Sequence, residues 1–453
     1  MQPLGRLRRL TLLYLDCLRV FVFIGNQRNY LFWPMQLLLT SILRYLKSPM
    51  FKDRMVKLDM ISRYKKLANQ ERYKGQQRKR DLYNSEYALQ QRELQTSISG
   101  TASTSRIIGR SFTNSFGHAA YGIGDRHKAK LLGLDNNDYI LLGDTSTNSW
   151  LIENYWTKYF SYVSLDEWIV DCLEVNSPHL FEDIEYLTVD GNVLGSEVGA
   201  GLIELEWQEK FPHKSLLALS QEDQEYGYSK LEDLGLPKVE WFVTFHFRHR
   251  EYELDRNVQA KSYLSAIEFA LSEGANVFVI GEDVGVADYV KHPRFLDLTA
   301  PRIRDSRLNL FLLAECRFMV GSSSGPIDVP PLFGKGVLWT NCSNLVMNRL
   351  HKDSIVIPRI RMRNTSPSFE DFLIDIGNGL YENDSLPSNV VGVKMIQNTD
   401  EEILGGLKEM FSRDLSLDPA GQELEVLDAI KSRSGVISNR ISLSFLSNNF
   451  AGK

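Results

Sequence analysis

Apolar runs of strand length alternate with helix-length amphipathic segments through the second half of the chain. The runs that predict buried strands are residues 239–247, 276–280, 317–320 and 337–340. Helical periodicity marks residues 258–272 and 306–314 between them. This alternation predicts a parallel, doubly wound α/β sheet, whose ligands lie at the carboxyl ends of the strands.

The alternation of strand-length and helix-length segments is less clear in the first half of the chain. Residues 106–108 and 139–142 predict short buried strands, and residues 148–160 predict an aromatic-rich helix. Residues 205–238 are charged and show no clear period, which predicts an irregular connection between two domains. We therefore expect a helical region at 1–95, Rossmann-like domains at 96–235 and 236–400, and a helical extension at 401–453.

Two apolar segments near the start of the chain, residues 10–24 and 30–46, have the pattern of interfacial helices. Asp16 and Arg19 interrupt the first, which is too short to span a bilayer and does not resemble a signal peptide. The alternative is a helix packed on the protein's own core. Residues 62–95 are polar and helix-forming, which predicts a solvated stalk before a Ser/Thr-rich linker.

Charge is divided unevenly along the chain. Residues 1–80 hold 18 Lys and Arg against 4 Asp and Glu, a balance of +14. The totals of 52 and 57 leave 34 and 53 for the remainder, a balance of −19. A basic arm on an acidic body indicates an anionic partner. We favour an anionic membrane surface over nucleic acid, because the basic residues alternate with large aliphatic side chains.

Polar residues follow the predicted strands of the second half and form one rim. They are His246, Arg248, Gly281, Glu282, Asp283, Ser322, Ser323, Ser324, Gly325 and Asn341. The serine loop, which we define as Ser322 to Gly325, precedes Pro326, a residue favoured at the first position of a helix. Backbone amides and hydroxyls at such a position predict an anion site suited to a diphosphate, although ordinary strand-to-helix turns have similar composition.

Arg248 directly follows an apolar strand, where a guanidinium can pair with a phosphate or with the acidic body. The sequence has no GxxxxGK[ST] motif and no GxGxxG after a strand, which disfavours P-loop NTPases and enzymes with nicotinamide or flavin cofactors. The four cysteines fit no zinc spacing and predict reduced thiols. We therefore expect no bound cofactor and no zinc site.

Three residues of the first half are candidates for general-base catalysis. His118 follows Gly117, whose backbone freedom permits a sharp turn beside a ligand. A lone histidine is more often structural, so Asp125 and Glu153 are alternative bases.

At these residues the sequence resembles an uncharacterised family of bacterial glycosyltransferases with the GT-B architecture, associated with surface-polysaccharide synthesis. The resemblance covers about residues 105–375, and its most specific piece is the strand Cys316-Arg-Phe-Met-Val with the serine loop after it. The other pieces surround His118, Arg248 and Gly281. His246-Phe-Arg248 is also similar to the arginine motif of GT-B fucosyltransferases, in which the arginine meets the donor pyrophosphate.

The resemblance implies an acceptor-binding N-terminal domain and a C-terminal domain that binds a nucleotide-sugar without metal. We therefore expect a glycosyltransferase acting on a lipid-linked or polysaccharide acceptor. It would be a cytoplasmic protein held peripherally on the inner face of the cell membrane. Two alternatives stay open: transfer of another group, such as pyruvyl, on the same scaffold, and a catalytically inactive scaffold protein.

Overall fold

The computed structural model describes residues 105–450 with several short gaps. The gaps are residues 145–148, 177–180, 185, 191, 213, 237–238, 252–255, 301–304, 346–352, 363–366, 382–393, 414–416 and 435–438. The predicted interfacial helices, the stalk and nearly all of the linker lie outside the described residues. Within the described part, no helix is both long enough and apolar enough to cross a membrane.

The second half forms a seven-stranded sheet in which every neighbouring pair is parallel. Its strands are β6 (Phe242–Phe247), β7 (Asn276–Gly281), β8 (Phe295–Asp297), β9 (Phe318–Ser322), β10 (Gly336–Cys342), β11 (Ile355–Pro358) and β14 (Arg440–Ile441). Their order across the sheet is β14-β11-β10-β9-β6-β7-β8. The predicted parallel, doubly wound sheet is therefore confirmed.

Helices cover both faces of this sheet, which explains why its central strands read as continuous apolar runs. Every residue of β6 and β10 is buried. On one face, Tyr263 packs edge-on against Phe247 and bonds Thr340. On the other, the Thr244 hydroxyl donates to the carbonyl of Leu312. The helices of this half are α7 (Leu264–Ser272), α8 (Ser306–Glu315), α9 (Phe369–Gly377), α10 (Asp400–Ser412), α11 (Gln422–Ser434) and α12 (Leu443–Phe450).

The first half contains a smaller parallel sheet of β1 (Ser105–Ile108), β2 (Asp138–Asp144) and β3 (Ser161–Leu165). An antiparallel pair, β4 (Tyr186–Val189) and β5 (Asn192–Gly195), lies apart from it. The helices are α1 (Arg110–Thr113), α2 (Phe116–Leu132), α3 (Trp150–Asn154), α4 (Glu167–Asn176), α5 (Ser196–Lys210) and α6 (Gln221–Asp233). A second antiparallel pair, β12 (Ile360–Met362) and β13 (Lys394–Ile396), belongs to the second half.

The prediction of an irregular connection over residues 205–238 is wrong. That stretch contains the end of α5 and all of α6. Its many Glu and Lys residues are strong helix formers, and α5 buries Ile203 and Trp207 at helical spacing. Ser220 begins α6 by accepting a hydrogen bond from the Asp223 amide.

Three other predicted helices are shorter than expected. The helix predicted at 148–160 divides into α3 and a 3-10 turn, Trp156–Lys158. The one at 258–272 begins with a 3-10 turn, Ala260–Tyr263, before α7. After the serine loop two 3-10 turns, Gly325–Asp328 and Pro330–Phe333, replace the expected helix. Two consecutive prolines, Pro330 and Pro331, prevent an α-helix from continuing there.

Candidate functional site

The strand order reverses between β6 and β9, which lie side by side at the centre of the large sheet. From β6 the chain builds β7 and β8 in one direction, and from β9 it builds β10, β11 and β14 in the other. In open parallel sheets, ligands bind in the crevice outside the carboxyl ends at this point of reversal. His246 of β6 pairs with Gly321 of β9, so the residues that follow each of them flank that crevice.

The serine loop leaves β9 on the β10 side of the reversal. Ser322 and Ser323 are buried, and the Ser323 hydroxyl accepts a hydrogen bond of 3.2 Å from Nε1 of Trp339. The Ser322 hydroxyl makes no hydrogen bond within the described part of the chain. Ser324 has extended backbone and begins the turn Gly325–Asp328. A hydrogen bond from Trp339 therefore holds this loop, and a 3-10 turn rather than an α-helix follows it.

The end of β6, the strand next to β9, carries one neutral and two cationic side chains. His246 is 4% exposed, and its Nδ1 makes no hydrogen bond to any described residue. Burial, with the charges of Arg248 and Arg250, lowers the pKa of His246 to about 3, so the ring is neutral at physiological pH. Arg250 pairs with Glu282 at 2.8 Å, while Arg248 is half-buried. The rim therefore carries positive charge without a protonated histidine.

The turn after β7 completes this side of the crevice. Gly281 has a φ of +100°, and a Cβ there would lie 2.5 Å from the Phe247 carbonyl and 2.7 Å from Nε2 of His246. Only glycine therefore fits at this position. Asp283 is exposed, and its side chain accepts the Gly285 amide at 2.8 Å.

Asn341, the last residue but one of β10, lies in a buried hydrogen-bond network. Its side-chain oxygen accepts the Asn398 amide at 2.8 Å, and its own amide donates to the Asn398 side chain at 2.5 Å. Its side-chain nitrogen donates to the Tyr263 hydroxyl at 3.1 Å. Asn341 has a positive φ of 54° and is 1% exposed. These contacts fix the end of β10, and the role of Asn341 in donor binding stays a prediction.

Arg256 is a residue of this site that the sequence reasoning missed. Its Nε and Nη2 both donate to the Ser323 carbonyl, at 3.2 and 2.7 Å. It lies ten residues beyond His246 in a charged stretch, and no motif distinguished it from its neighbours. Only the closure of the loop after β6 brings it to the serine loop.

The first half meets the second at a pair of glycines. A Cβ on Gly117 would lie 2.3 Å from the Cα of Gly325, and one on Gly325 would lie 2.7 Å from the Gly117 amide nitrogen. Gly117 is in the first turn of α2, which follows the carboxyl end of β1 through α1. A helix that follows the carboxyl end of β1 thus contacts the loop that follows the carboxyl end of β9.

His118 directly follows that contact. Its Nδ1 lies 2.6 Å from the Ser111 carbonyl, and its ring meets Tyr121 edge-on. Because a carbonyl oxygen only accepts, Nδ1 carries a proton, and the neutral form of the ring would have its lone pair on Nε2. That tautomer is the one a general base requires.

The other two candidate bases lie in different surroundings from His118. Asp125 is buried on α2, seven residues after His118 and so about 10 Å farther along the helix. Glu153 is on α3 with its side chain exposed. The contact of Gly117 with Gly325 therefore places the backbone of His118 next to the serine loop, while Asp125 lies about two turns farther along α2 and Glu153 is exposed.

Asp223 on α6 ties the two halves together. Tyr155 donates to its carboxylate from the first half, as does Nε1 of Trp150 at 3.2 Å. Arg307 on α8 donates from the second half at 2.6 Å. Burial alone would raise the pKa of Asp223, but these hydrogen bonds and that of Ser220 together lower it. The carboxylate is therefore an ionic link across the junction. Over the described ranges, no group of three His, Cys, Asp or Glu side chains is arranged to hold a metal ion.

No protein-family model matches the sequence, and no curated protein is significantly similar to it. Three solved structures show partial likeness. The ADP-heptose LPS heptosyltransferase II of E. coli is 11% identical with a TM-score of 0.39, over 58% of this chain and 91% of that one. A glycosyl transferase of family 9 from Veillonella parvula is 12% identical with a TM-score of 0.33, over 65% of this chain and 79% of that one. The heptosyltransferase TibC, solved with ADP-D-beta-D-heptose, is 13% identical with a TM-score of 0.32, over 53% of this chain and 59% of that one.

Proposed function

We propose that the chain is a glycosyltransferase of the GT-B type that moves a sugar from a nucleotide-sugar to a lipid-linked or surface-polysaccharide acceptor. The donor occupies the crevice at the strand reversal, with its diphosphate between Arg248 and the serine loop. The acceptor enters from the first half, next to His118. Residues 1–50 hold the enzyme on the inner face of the cell membrane, where a lipid-linked acceptor is presented.

The contact between Gly117 and Gly325 is the observation that carries this proposal. It brings a residue of α2 against the loop at the strand reversal of the other sheet, and His118 is the next residue along α2. A transfer between two substrates needs such a junction, because the reacting atoms must be held about 3 Å apart. A binding module for one ligand has no need of a histidine from the opposite half.

The leaving group is a nucleoside diphosphate, whose charge must be stabilised as its bond to the sugar breaks. Arg248 supplies a guanidinium, and the backbone amides of the serine loop supply further donors. His246 stays neutral beside them because of its burial, so it can accept or donate a hydrogen bond without adding charge. Asn341 supports this rim indirectly, by fixing the end of β10.

The acceptor hydroxyl loses its proton to Nε2 of His118 as its oxygen bonds the anomeric carbon. In the same step the bond from that carbon to the diphosphate oxygen breaks, and the electron pair leaves with the diphosphate. The hydrogen bond from Nδ1 to the Ser111 carbonyl holds the ring in the required tautomer. Asp125 and Glu153 are the next bases to test if His118 proves structural.

The deciding experiment is a thermal-shift screen of the full chain with UDP-, GDP-, CMP-, dTDP- and ADP-sugars. The panel includes ADP-heptose, the ligand named for one of the solved structures. A donor at 100 times its dissociation constant is expected to add ~2.7 kcal/mol of stability. Sugar transfer to a bacterial lipid extract is then followed by mass spectrometry.

Two outcomes would redirect the assignment. Stabilisation by phosphoenolpyruvate, with none by any nucleotide-sugar, would indicate pyruvyl transfer on the same scaffold. Absence of any ligand effect, in both the wild type and Arg248→Ala, would indicate an inactive scaffold protein.

A further inference from the structure

The segments on either side of residues 252–255 bond each other just after β6. The Val258 amide donates to the Arg248 carbonyl at 3.2 Å. Arg250 and Asn257 bond each other reciprocally, with both hydrogen bonds at 2.8 Å. These contacts hold residues 257–258 beside the end of β6, and Arg256 directly precedes them in the chain.

Two N–H groups of Arg256 bond the same backbone carbonyl in the serine loop. Both Nε and Nη2 donate to the Ser323 oxygen, at 3.2 and 2.7 Å. A planar guanidinium can make this double contact because its N–H groups form a fixed fork, whereas a lysine ammonium is a point charge on a flexible stem. The direction of the Ser323 carbonyl is therefore set by the plane of Arg256.

Fixing that carbonyl also fixes the next amide. In a trans peptide the C=O and the following N–H point in opposite directions, and no described peptide bond is cis. The Ser324 N–H therefore points away from the Arg256 guanidinium. It makes no hydrogen bond within the described part of the chain. A backbone amide held in this orientation at the strand reversal can donate a hydrogen bond to a ligand.

We infer that Arg256 is a positioning residue, which locks the Ser323–Ser324 peptide so that the Ser324 amide is presented to the diphosphate of the donor. The inference rests on the proposed function and adds to it a residue that acts through the loop rather than by meeting the ligand. The amide is then oriented before the ligand arrives, so binding does not have to turn the peptide. Gly325, packed against Gly117, restrains the other end of the same short segment.

The test compares Arg256→Lys and Arg256→Gln with the wild-type full chain, using inorganic pyrophosphate as the probe in calorimetry. Lysine keeps the charge but not the fork, and glutamine keeps neither. Arg317→Lys is the matched control, because Arg317 precedes β9 at the opposite edge of the sheet, 5.1 Å over the Trp241 ring. Each variant is first checked for an unchanged thermal midpoint.

Arg256→Lys and Arg256→Gln are both expected to bind pyrophosphate roughly 10- to 100-fold more weakly, the range for losing charge-assisted hydrogen bonds. The salt dependence of binding should stay the same in Arg256→Lys, because the charge is kept. Hydrogen exchange of residues 320–326 should be faster in both variants and unchanged in Arg317→Lys.

Wild-type affinity in Arg256→Lys, with loss only in Arg256→Gln, would show that charge alone matters and would overturn the inference. Wild-type affinity in both variants would overturn it as well, while leaving the proposed function intact. A wild-type chain that binds neither pyrophosphate nor any nucleotide-sugar would instead overturn the donor site itself.

Discussion

Gly117→Ala tests the contact between the two halves with the smallest change available. The added Cβ would lie 2.3 Å from the Cα of Gly325 and 2.9 Å from its carbonyl oxygen. Ordinary contact begins near 3.4 Å, so the two backbones must separate by about 1.1 Å. Both clashing groups are backbone atoms, which cannot swing aside as a side chain can.

Gly124→Ala is the matched control on the same helix. Its Cβ would meet the Leu332 Cδ2 at 2.9 Å, a methyl group that can rotate away. Both substitutions replace a helical glycine by alanine, so the gain in helix propensity of up to ~1 kcal/mol is shared. Overpacking at Gly117 is expected to cost about 1–3 kcal/mol relative to the control.

The effect on activity should exceed the effect on stability. A misplacement of about 1 Å between reacting groups can reduce turnover by ~100-fold. We expect Gly117→Ala to unfold at a lower temperature than Gly124→Ala, and to transfer sugar about 100-fold more slowly at saturating donor. Equal thermal midpoints and equal transfer rates in the two variants would refute the claim that this contact aligns the site.

Three further predictions concern other parts of the chain. Arg248→Ala should weaken donor binding in calorimetry by roughly 10- to 100-fold, whereas His118→Ala should leave binding unchanged and slow single-turnover transfer by ~100-fold or more. A wild-type transfer rate in His118→Ala would make that histidine structural. Deleting residues 1–50 should release the protein from anionic vesicles, because each basic residue near the surface contributes roughly 1 kcal/mol; full cosedimentation of the truncated chain would contradict this. The lowered pKa of Asp223 stabilises the fold above the ordinary carboxyl pKa of about 4, and this contribution is lost as the pH falls through the folded-state value. Asp223→Asn should therefore show a thermal midpoint that is lower at neutral pH and less sensitive to acid; the same acid sensitivity in both proteins would contradict the linkage.

The large sheet was predictable because its strands are buried on both faces and read as unbroken apolar runs. β6 and β7 are found within three residues of the predicted limits. The helices around the site were less predictable, since tertiary contacts decided where they end. Tyr155, for example, closes α3 and donates to Asp223, a residue 68 positions later.

The candidate site divides in the same way. Arg248 and the serine loop follow strands whose parallel order places them on one edge, so the pattern of strands was enough to group them. Arg256 was missed because its role depends on how a loop closes, and loop closure leaves no periodic signal. Asn341 occurs where a ligand-binding residue was expected, but its partner Asn398 lies 57 residues away and could not be inferred from local sequence.

The strand β14 has a consequence for how the protein is made. It pairs with β11 through Arg440 and Ile441, which follow Ile355 and Val356 by 85 residues. During synthesis, one edge of β11 therefore stays unpaired until the ribosome has made the helices α9 to α11 and then β14. An exposed strand edge recruits other chains, so nascent or truncated forms that stop short of residue 440 should be the ones that aggregate and engage chaperones. Expression trials that shorten the chain from its carboxyl end should keep this strand.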